Sequence, residues 1–261
     1  MSGSAPSSSP RALAGRVVVV TGGGQGLGRA YARAIADDGG VAVIADVNEQ
    51  TGRSVEREIH EAGGQAVFHP LDVGSQESCR ALGSFVLDRF GRADGLVNNA
   101  AVFSTIRMKP FWEISIEEWD RLMAINLRGP WLLTGAMRDA LRASPSASIV
   151  NVASDAAWLG RPGYLHYVAS KGGVAALSYA MSHELGSDGI RVNTISPGPT
   201  YTEVERETVS PAQKEAMLAR QALPREAHAE DMVGSVLFLL SESSSFVTGQ
   251  TLHVNGGMLH V

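Results

Sequence analysis

Short apolar, β-branched runs alternate along this chain with longer stretches whose apolar residues recur at helical spacing. Val17–Val20 reads as the first strand, followed by a glycine-rich turn and a helix over Arg29–Ala36. Val41–Ala45, Ala66–Phe68, Gly95–Val97, Ser148–Val152, Ile190–Ile195 and Gln250–Val254 read as further strands. Between them the pattern predicts helices over Glu49–Ala62, Glu77–Phe90, Ile116–Leu127, Trp131–Leu141, from about Tyr164 to Leu185, and over Met232–Leu240. One long irregular stretch, Ser196–Arg225, is rich in Pro, Thr, Glu and Met. A loop of that length in a compact domain is usually functional. It is expected to form a lid over a site, with a short helix near Ala212–Arg220.

Strand–helix alternation of this regularity predicts the α/β class: one doubly wound, Rossmann-type domain over residues 12–261. Its parallel sheet would have about seven strands, with helices on both faces. Residues 1–11 are small and polar and are expected to be a disordered tail, not a secretory signal. Composition changes this picture only by exclusion. A chain of 261 residues, 44% hydrophobic, has ample material for a core. A net charge of −5 offers no footprint for nucleic acid or an anionic membrane. No apolar run approaches the ~20 residues of a membrane span. Cys79 is the single cysteine, so an intrachain disulfide and a cysteine-rich metal site are excluded, and the histidines show no ligand pattern. No metal is expected, and a cytoplasmic protein is.

The first chemistry-bearing motif is Thr21-Gly22-Gly23-Gly24-Gln25-Gly26-Leu27-Gly28, directly between a strand and a helix. Glycines there let the backbone approach a pyrophosphate, whose charge the helix N-terminus favours. Asp46 ends the second strand 18 residues past Gly28, where an acidic residue hydrogen-bonds an adenosine ribose. A carboxylate there repels a 2′-phosphate, and neither a neighbouring Lys or Arg nor Gln25 compensates. The pattern therefore favours NAD(H) over NADP(H). The alternative is that Asp46 merely caps the following helix.

Further on come Asp72-Val73, Asn98-Asn99-Ala100-Ala101, Asn126, Ser154, Tyr167-x-x-x-Lys171 and Pro197-Gly198. Five tyrosines and three lysines give a chance i,i+4 Tyr–Lys match of only about 6%. The two would share one helix face. An ammonium beside a phenol favours phenolate, which suits proton exchange with a substrate oxygen. Taken singly, Ser154 reads equally as a helix cap and Asn126 as a mid-helix polar residue.

In family order, and with Ser154 13 residues before Tyr167, these pieces resemble the short-chain dehydrogenase/reductase family over nearly all of residues 13–258. The resemblance implies a catalytic tetrad of Asn126, Ser154, Tyr167 and Lys171, with Asn126 positioning a water that links Lys171 to solvent. It implies cofactor contacts from Gly22, Gln25, Gly26, Leu27, Gly28, Asp46, Asp72, Val73, Asn99, Tyr167, Lys171, Pro197, Gly198, Thr200 and Thr202. Ala101 departs from the family's usual glycine. Substrate contacts are expected from Ser154, Trp158, Tyr164 and Tyr167, with Phe103, Trp112, Ala156 and Met217 nearby. These are mostly apolar, so the expected substrate is a hydrophobic cyclic or aromatic secondary alcohol or ketone, held between Trp158 and the lid. A 3-oxoacyl thioester reductase is the alternative reaction, and a non-catalytic nucleotide-binding regulator the alternative class. The resemblance also implies a homo-oligomer, a tetramer or dimer, through the apolar helix Gly172–Met181 and the C-terminal tail.

Overall fold

The computed structural model describes residues 11–204 and 211–260. The expected tail therefore falls outside the described residues except for Arg11, as does the middle of the expected lid. The elements in chain order are β1 (Val17–Thr21), α1 (Gly26–Asp37), β2 (Val41–Asp46), α2 (Glu49–Glu61), β3 (Gln65–Pro70), α3 (Gln76–Phe90) and β4 (Gly95–Asn98). Then follow α4 (Ile116–Met123), α5 (Gly129–Arg142), β5 (Ser148–Val152), α6 (Ala156–Leu159), α7 (Leu165–Leu185) and β6 (Arg191–Pro197). The described chain ends with β7 (Thr200–Tyr201), α8 (Pro211–Leu218), β8 (Ala227–His228), α9 (Ala229–Leu240) and β9 (Thr251–Val254).

Seven strands form one sheet in the order β3-β2-β1-β4-β5-β6-β9, every pair parallel. The strands are continuous apolar runs because both faces are covered. In β1, Val18 and Val20 join one core with Ile35 of α1 and Met232 of α9, while Val17 and Val19 join the other with Leu82 of α3 and Leu133 of α5. The period of two thus feeds two separate cores. After β3 the chain returns to lay β4 on the other side of β1. That reversal opens a crevice at the carboxyl ends of β1 and β4.

Two sequence expectations need correction. Residues 116–142 form one run of helix, not two, joined through a wider π turn over Ala124–Arg128. There the Gly129 N–H bonds Ala124 O, five residues back. Pro130, four residues after Asn126, has no N–H to give the Asn126 carbonyl, so the helix widens around it. The lid also begins later than expected. Ser196 and Pro197 complete β6, and Thr200–Tyr201 pairs with Ala227–His228 in a small two-stranded sheet. The stretch is not uniformly irregular, and its helix is α8.

The glycine-rich turn works by close approach. Gly22 has φ +61°, in the left-handed region. A Cβ on Gly28 would lie 2.0 Å from the Gly22 carbonyl oxygen. Gly28→Ala is therefore expected to destabilise the protein by about 2 kcal/mol or more. The same change at the exposed, mid-helix Gly234, where an added Cβ meets nothing within 4 Å, is expected to stabilise it by roughly 0.5–1 kcal/mol. Thermal melts of the two variants check the opposite signs.

Candidate active site

The crevice holds a cleft of about 680 Å³. Of the residues expected at the site, Gly22, Gln25, Gly26, Leu27, Asp46, Asp72, Val73, Asn99, Ser154, Tyr164, Tyr167, Lys171, Pro197, Gly198 and Thr202 all line it. Residues 180 positions apart in sequence, Gly22 and Thr202, therefore share one wall because every strand involved ends there.

At the β1 end, Thr21 Oγ1 accepts the N–H groups of Asn99 and Ala100, both at 2.9 Å, and Asn99 Nδ2 donates to Thr21 O. Asn99 thus laces β4 to the glycine turn as well as facing the cleft. Asp46 does not cap α2. Its Oδ2 accepts the Gly24 N–H and its Oδ1 the Asn48 N–H, each at 2.9 Å, and Asn48 is the cap, accepting from Thr51. The acidic side chain is held at the cleft edge, and among the described residues no cation pairs with it. Asp72 Oδ1 accepts the Gly74 N–H, and Val73 packs on Gly129, so both shape the next part of the rim.

The N-terminus of α1 shows its anion preference directly. Gly26 N–H donates to a carboxylate oxygen of Glu203 at 3.0 Å, and Arg29 lies 3.5 Å from the same oxygen. Burial raises the Glu203 pKa, but the Gly26 bond and Arg29 outweigh it and leave the carboxyl below its ordinary value. The α1 N-terminus thus takes a carboxylate from the chain itself. With the bare Gly22–Gly28 approach and the acidic end of β2, the donor set fits a dinucleotide. Sequence reasoning missed Glu203, because nothing local marks a lid glutamate as reaching back to residue 26.

At the β5 end, α7 presents Tyr167 and Lys171 from one face. Both are buried, at 6% and 3% exposure, and the ammonium lies 6.0 Å from the Tyr167 ring centre. Lys171 Nζ donates to Val152 O at 2.6 Å. Burial pulls its pKa down to about 8. The Tyr167 ring lies 4.8 Å from Phe103 and stands edge-on to Tyr164 at 6.3 Å, so apolar rings shield the phenol. Ser154 Oγ accepts the Ala156 N–H at 3.3 Å, the cap-like bond that its position suggested. That bond uses a lone pair and leaves the O–H to donate.

Four expected residues lie off the cleft wall. Asn126 is buried behind it, clamping Val102 through both its oxygen (2.7 Å) and its amide nitrogen (3.1 Å), with Ser170 Oγ at 3.4 Å. Gly28 lies beneath the turn, and Thr200 is buried in the small sheet. Trp158, expected to hold the substrate, is not among the residues lining the cleft and packs edge-on against His253, 4.7 Å away. Trp112, also expected nearby, is 72% exposed and stands edge-on to Phe111. Phe103, Ala156 and Met217 do line the cleft.

The structure adds a buried network that no motif announced. Asp155, next to Ser154 and 1% exposed, accepts Ser196 Oγ (2.7 Å), bonds His253 Nδ1 (2.6 Å) and accepts Asn255 Nδ2 (2.5 Å). It ties the Ser154 loop to β6 and to the segment after β9. Among the described residues no group of three or more His, Cys, Asp or Glu is arranged to hold a metal, and no helix is long and apolar enough to cross a membrane.

Comparison with known proteins agrees with this geometry. A family profile described as Enoyl-(Acyl carrier protein) reductase matches residues 22–259. An uncharacterized oxidoreductase of Mycobacterium tuberculosis is 42% identical over 246 residues, 94% of this chain and 97% of its own length. A cyclopentanol dehydrogenase of Comamonas testosteroni is 36% identical over 93% of this chain and 96% of its own. A solved structure from Beutenbergia cavernae, provisionally assigned as an NAD(P)-dependent gluconate 5-dehydrogenase and holding NADP at low occupancy, superposes with a TM-score of 0.86. It is 33% identical and covers 96% of this chain and 99% of that one. The chain belongs to the short-chain dehydrogenase/reductase family and is an oxidoreductase of the kind that binds nicotinamide cofactors.

The depressed Lys171 value carries a stability consequence. At neutral pH the unfolded chain holds the proton at no cost, while the folded site holds it against desolvation, a penalty on the order of 3 kcal/mol. Lys171→Met is therefore expected to raise the melting temperature of the ligand-free protein at pH 7. The gain should shrink as pH climbs from about 8 toward the ordinary lysine value of 10.5, because the wild-type penalty is relieved across that window. Melts at pH 7 and pH 10 check the sign.

Proposed function

We propose that this protein is an NAD(H)-dependent oxidoreductase interconverting a secondary alcohol and a ketone, with Tyr167 as the general acid/base. The observation that carries the reading is the convergence of Tyr167, Lys171 and Ser154 with the glycine turn and Asp46 on one cleft. The turn at Gly22–Gly26 and the α1 N-terminus would hold the pyrophosphate, Asp46 the adenosine ribose, and Val73 the adenine edge. Lys171, with Val152 O as its partner, keeps N–H donors for the nicotinamide ribose. The bound nicotinamide supplies or accepts the hydride.

The chain's own residues handle the proton. In the reducing direction the Tyr167 hydroxyl delivers it to the carbonyl oxygen, and in the oxidising direction the phenolate takes it from the alcohol. The Lys171 ammonium, poorly hydrated on the cleft floor, lowers the energy of that phenolate. Ser154 O–H donates to the same substrate oxygen. Asn126, clamped on Val102, fixes the floor from behind. The Phe103 and Tyr164 rings keep water off the exchange.

The Asp46 carboxylate supports NAD(H), since a 2′-phosphate would meet it with no cation to compensate. Similarity to a 3-oxoacyl-[acyl-carrier-protein] reductase of Thermotoga maritima, 31% identical over 95% of this chain and 99% of its own length, supports a second reading, reduction of a 3-oxoacyl thioester, and preference for NADPH would favour it. An exposed apolar face supports a homo-oligomer. Leu127, Trp131 (59% exposed) and Leu177 flank a shallow depression between the π turn and α7.

Tyr167→Phe is expected to lower kcat for ketone reduction by two to four orders of magnitude. NADH should outperform NADPH at least tenfold, and Asp46→Ser should narrow that gap. Unchanged turnover would remove Tyr167 from the mechanism. A wild type inert across a broad panel of ketones and alcohols would favour a non-catalytic nucleotide-binding role. Trp131→Glu is expected to reduce the mass seen by light scattering to that of a smaller assembly, and a wild type of 27.5 kDa would remove the oligomer.

A further inference from the structure

We infer that the substrate carries an anionic oxygen group, and that Arg161 is the residue that recognises it. The inference rests on the alcohol/ketone reading above and narrows its substrate class.

Arg161 stands in a short turn between Gly160 (φ +58°) and Pro162-Gly163 (φ +78°), with its N–H on Ala156 O. The backbone around it is held by a fixed proline and by glycines in a conformation other residues resist. Its guanidinium lies 4.7 Å over the Tyr164 ring, and Tyr164 in turn stands 6.3 Å from the catalytic Tyr167 ring. The cation is thus no further from the Tyr167 ring than those two contacts laid end to end. A guanidinium held over a ring still has N–H donors to offer a bidentate partner. No side-chain oxygen or backbone carbonyl accepts from it among the described residues.

The rest of the cleft mouth agrees. Arg121 from α4 and Arg220 beyond α8 line the same cleft and also have no carboxylate partner among the described residues. Elsewhere the arginines near carboxylates pair with them, as Arg29 does with Glu58 and Arg138 with Asp188. The carboxylate lining this end is Asp155, and both of its oxygens are already engaged by Ser196, His253 and Asn255. A guanidinium with no acceptor among the described residues keeps its N–H donors for an anionic ligand in the cleft it lines. Phe103, Leu159, Pro162 and Met258 add apolar surface to the same cleft. The substrate that fits has an oxidisable or reducible carbon at Tyr167, an apolar skeleton, and a carboxylate or phosphate at Arg161. The first expectation, of a hydrophobic cyclic or aromatic substrate, is narrowed accordingly.

The test compares matched pairs with NADH: 6-oxoheptanoate against its methyl ester, and 4-oxocyclohexanecarboxylate against its methyl ester. Acetoacetyl-CoA serves as the phosphate-bearing probe. The acids are expected to exceed their esters about tenfold or more in kcat/KM, mostly through KM. Arg161→Gln should remove most of that ratio, and Arg161→Lys should retain part of it. Equal rates for acid and ester together with no loss of acetoacetyl-CoA turnover in Arg161→Gln, or an acid-over-ester ratio unaffected by Arg161→Gln, overturn the inference. An Arg161-dependent advantage confined to acetoacetyl-CoA sustains the subsite and assigns the anion to a carrier phosphate. If no ketone or alcohol is turned over, the alcohol/ketone reading falls, and calorimetric titration of the same acids and esters decides the subsite separately. Acid-selective binding lost in Arg161→Gln sustains it, and its absence overturns it.

Discussion

A parallel sheet whose strands are apolar on both faces must be covered on both faces, and the rest of this structure follows from that constraint. The first three strands run outward from β1, and the next connection crosses back to place β4 beside β1 on its other edge. Helices α1 and α9 close over one core and α3 and α5 over the other. At the point of reversal the strand ends open into the cleft. The glycine turn, Asp46, Asn99, Ser154 and Pro197-Gly198 reach it because each immediately follows or ends a strand that points there.

Within that crevice the balance of charge is deliberate in its physics. Lys171 is kept among apolar rings with one backbone carbonyl for company, which costs stability and depresses its pKa. The same desolvation makes its field at Tyr167 far stronger than it would be in water. At the opposite end the α1 N-terminus holds a carboxylate from the protein itself, Glu203. At the mouth Arg161 is stacked and unpaired. The cleft thus carries cations without carboxylate partners, Lys171 and Arg161, and a carboxylate without a cation, Asp46, among the described residues.

Much of this was legible in the residue order. The seven strands and the helices between them follow from apolar periodicity, since burial on both faces leaves an unbroken β-branched run. The glycine turn was legible because glycine's absent side chain has a direct use, seen in the 2.0 Å that a Cβ on Gly28 would have from Gly22 O. Tyr167 and Lys171 were legible because four residues on a helix set one face. The π turn around Asn126 was less so. Pro130 marks it, but a missing hydrogen bond reads in sequence as a break between two helices, not as a widened turn within one.

What the sequence determined by itself was the local and the periodic: which segments are strands, which turn admits a phosphate, and which two side chains share a helix face. Only the tertiary structure decided which distant residues meet. It moved Trp158 off the cleft and onto His253, joined Asp155 to residues about 40 and 100 positions away, and set Glu203 on the N–H of Gly26. It also left Arg161 without a carboxylate. Pairing of charges across long separations depends on how strands and loops are brought together in space, and no short-range spacing encodes it.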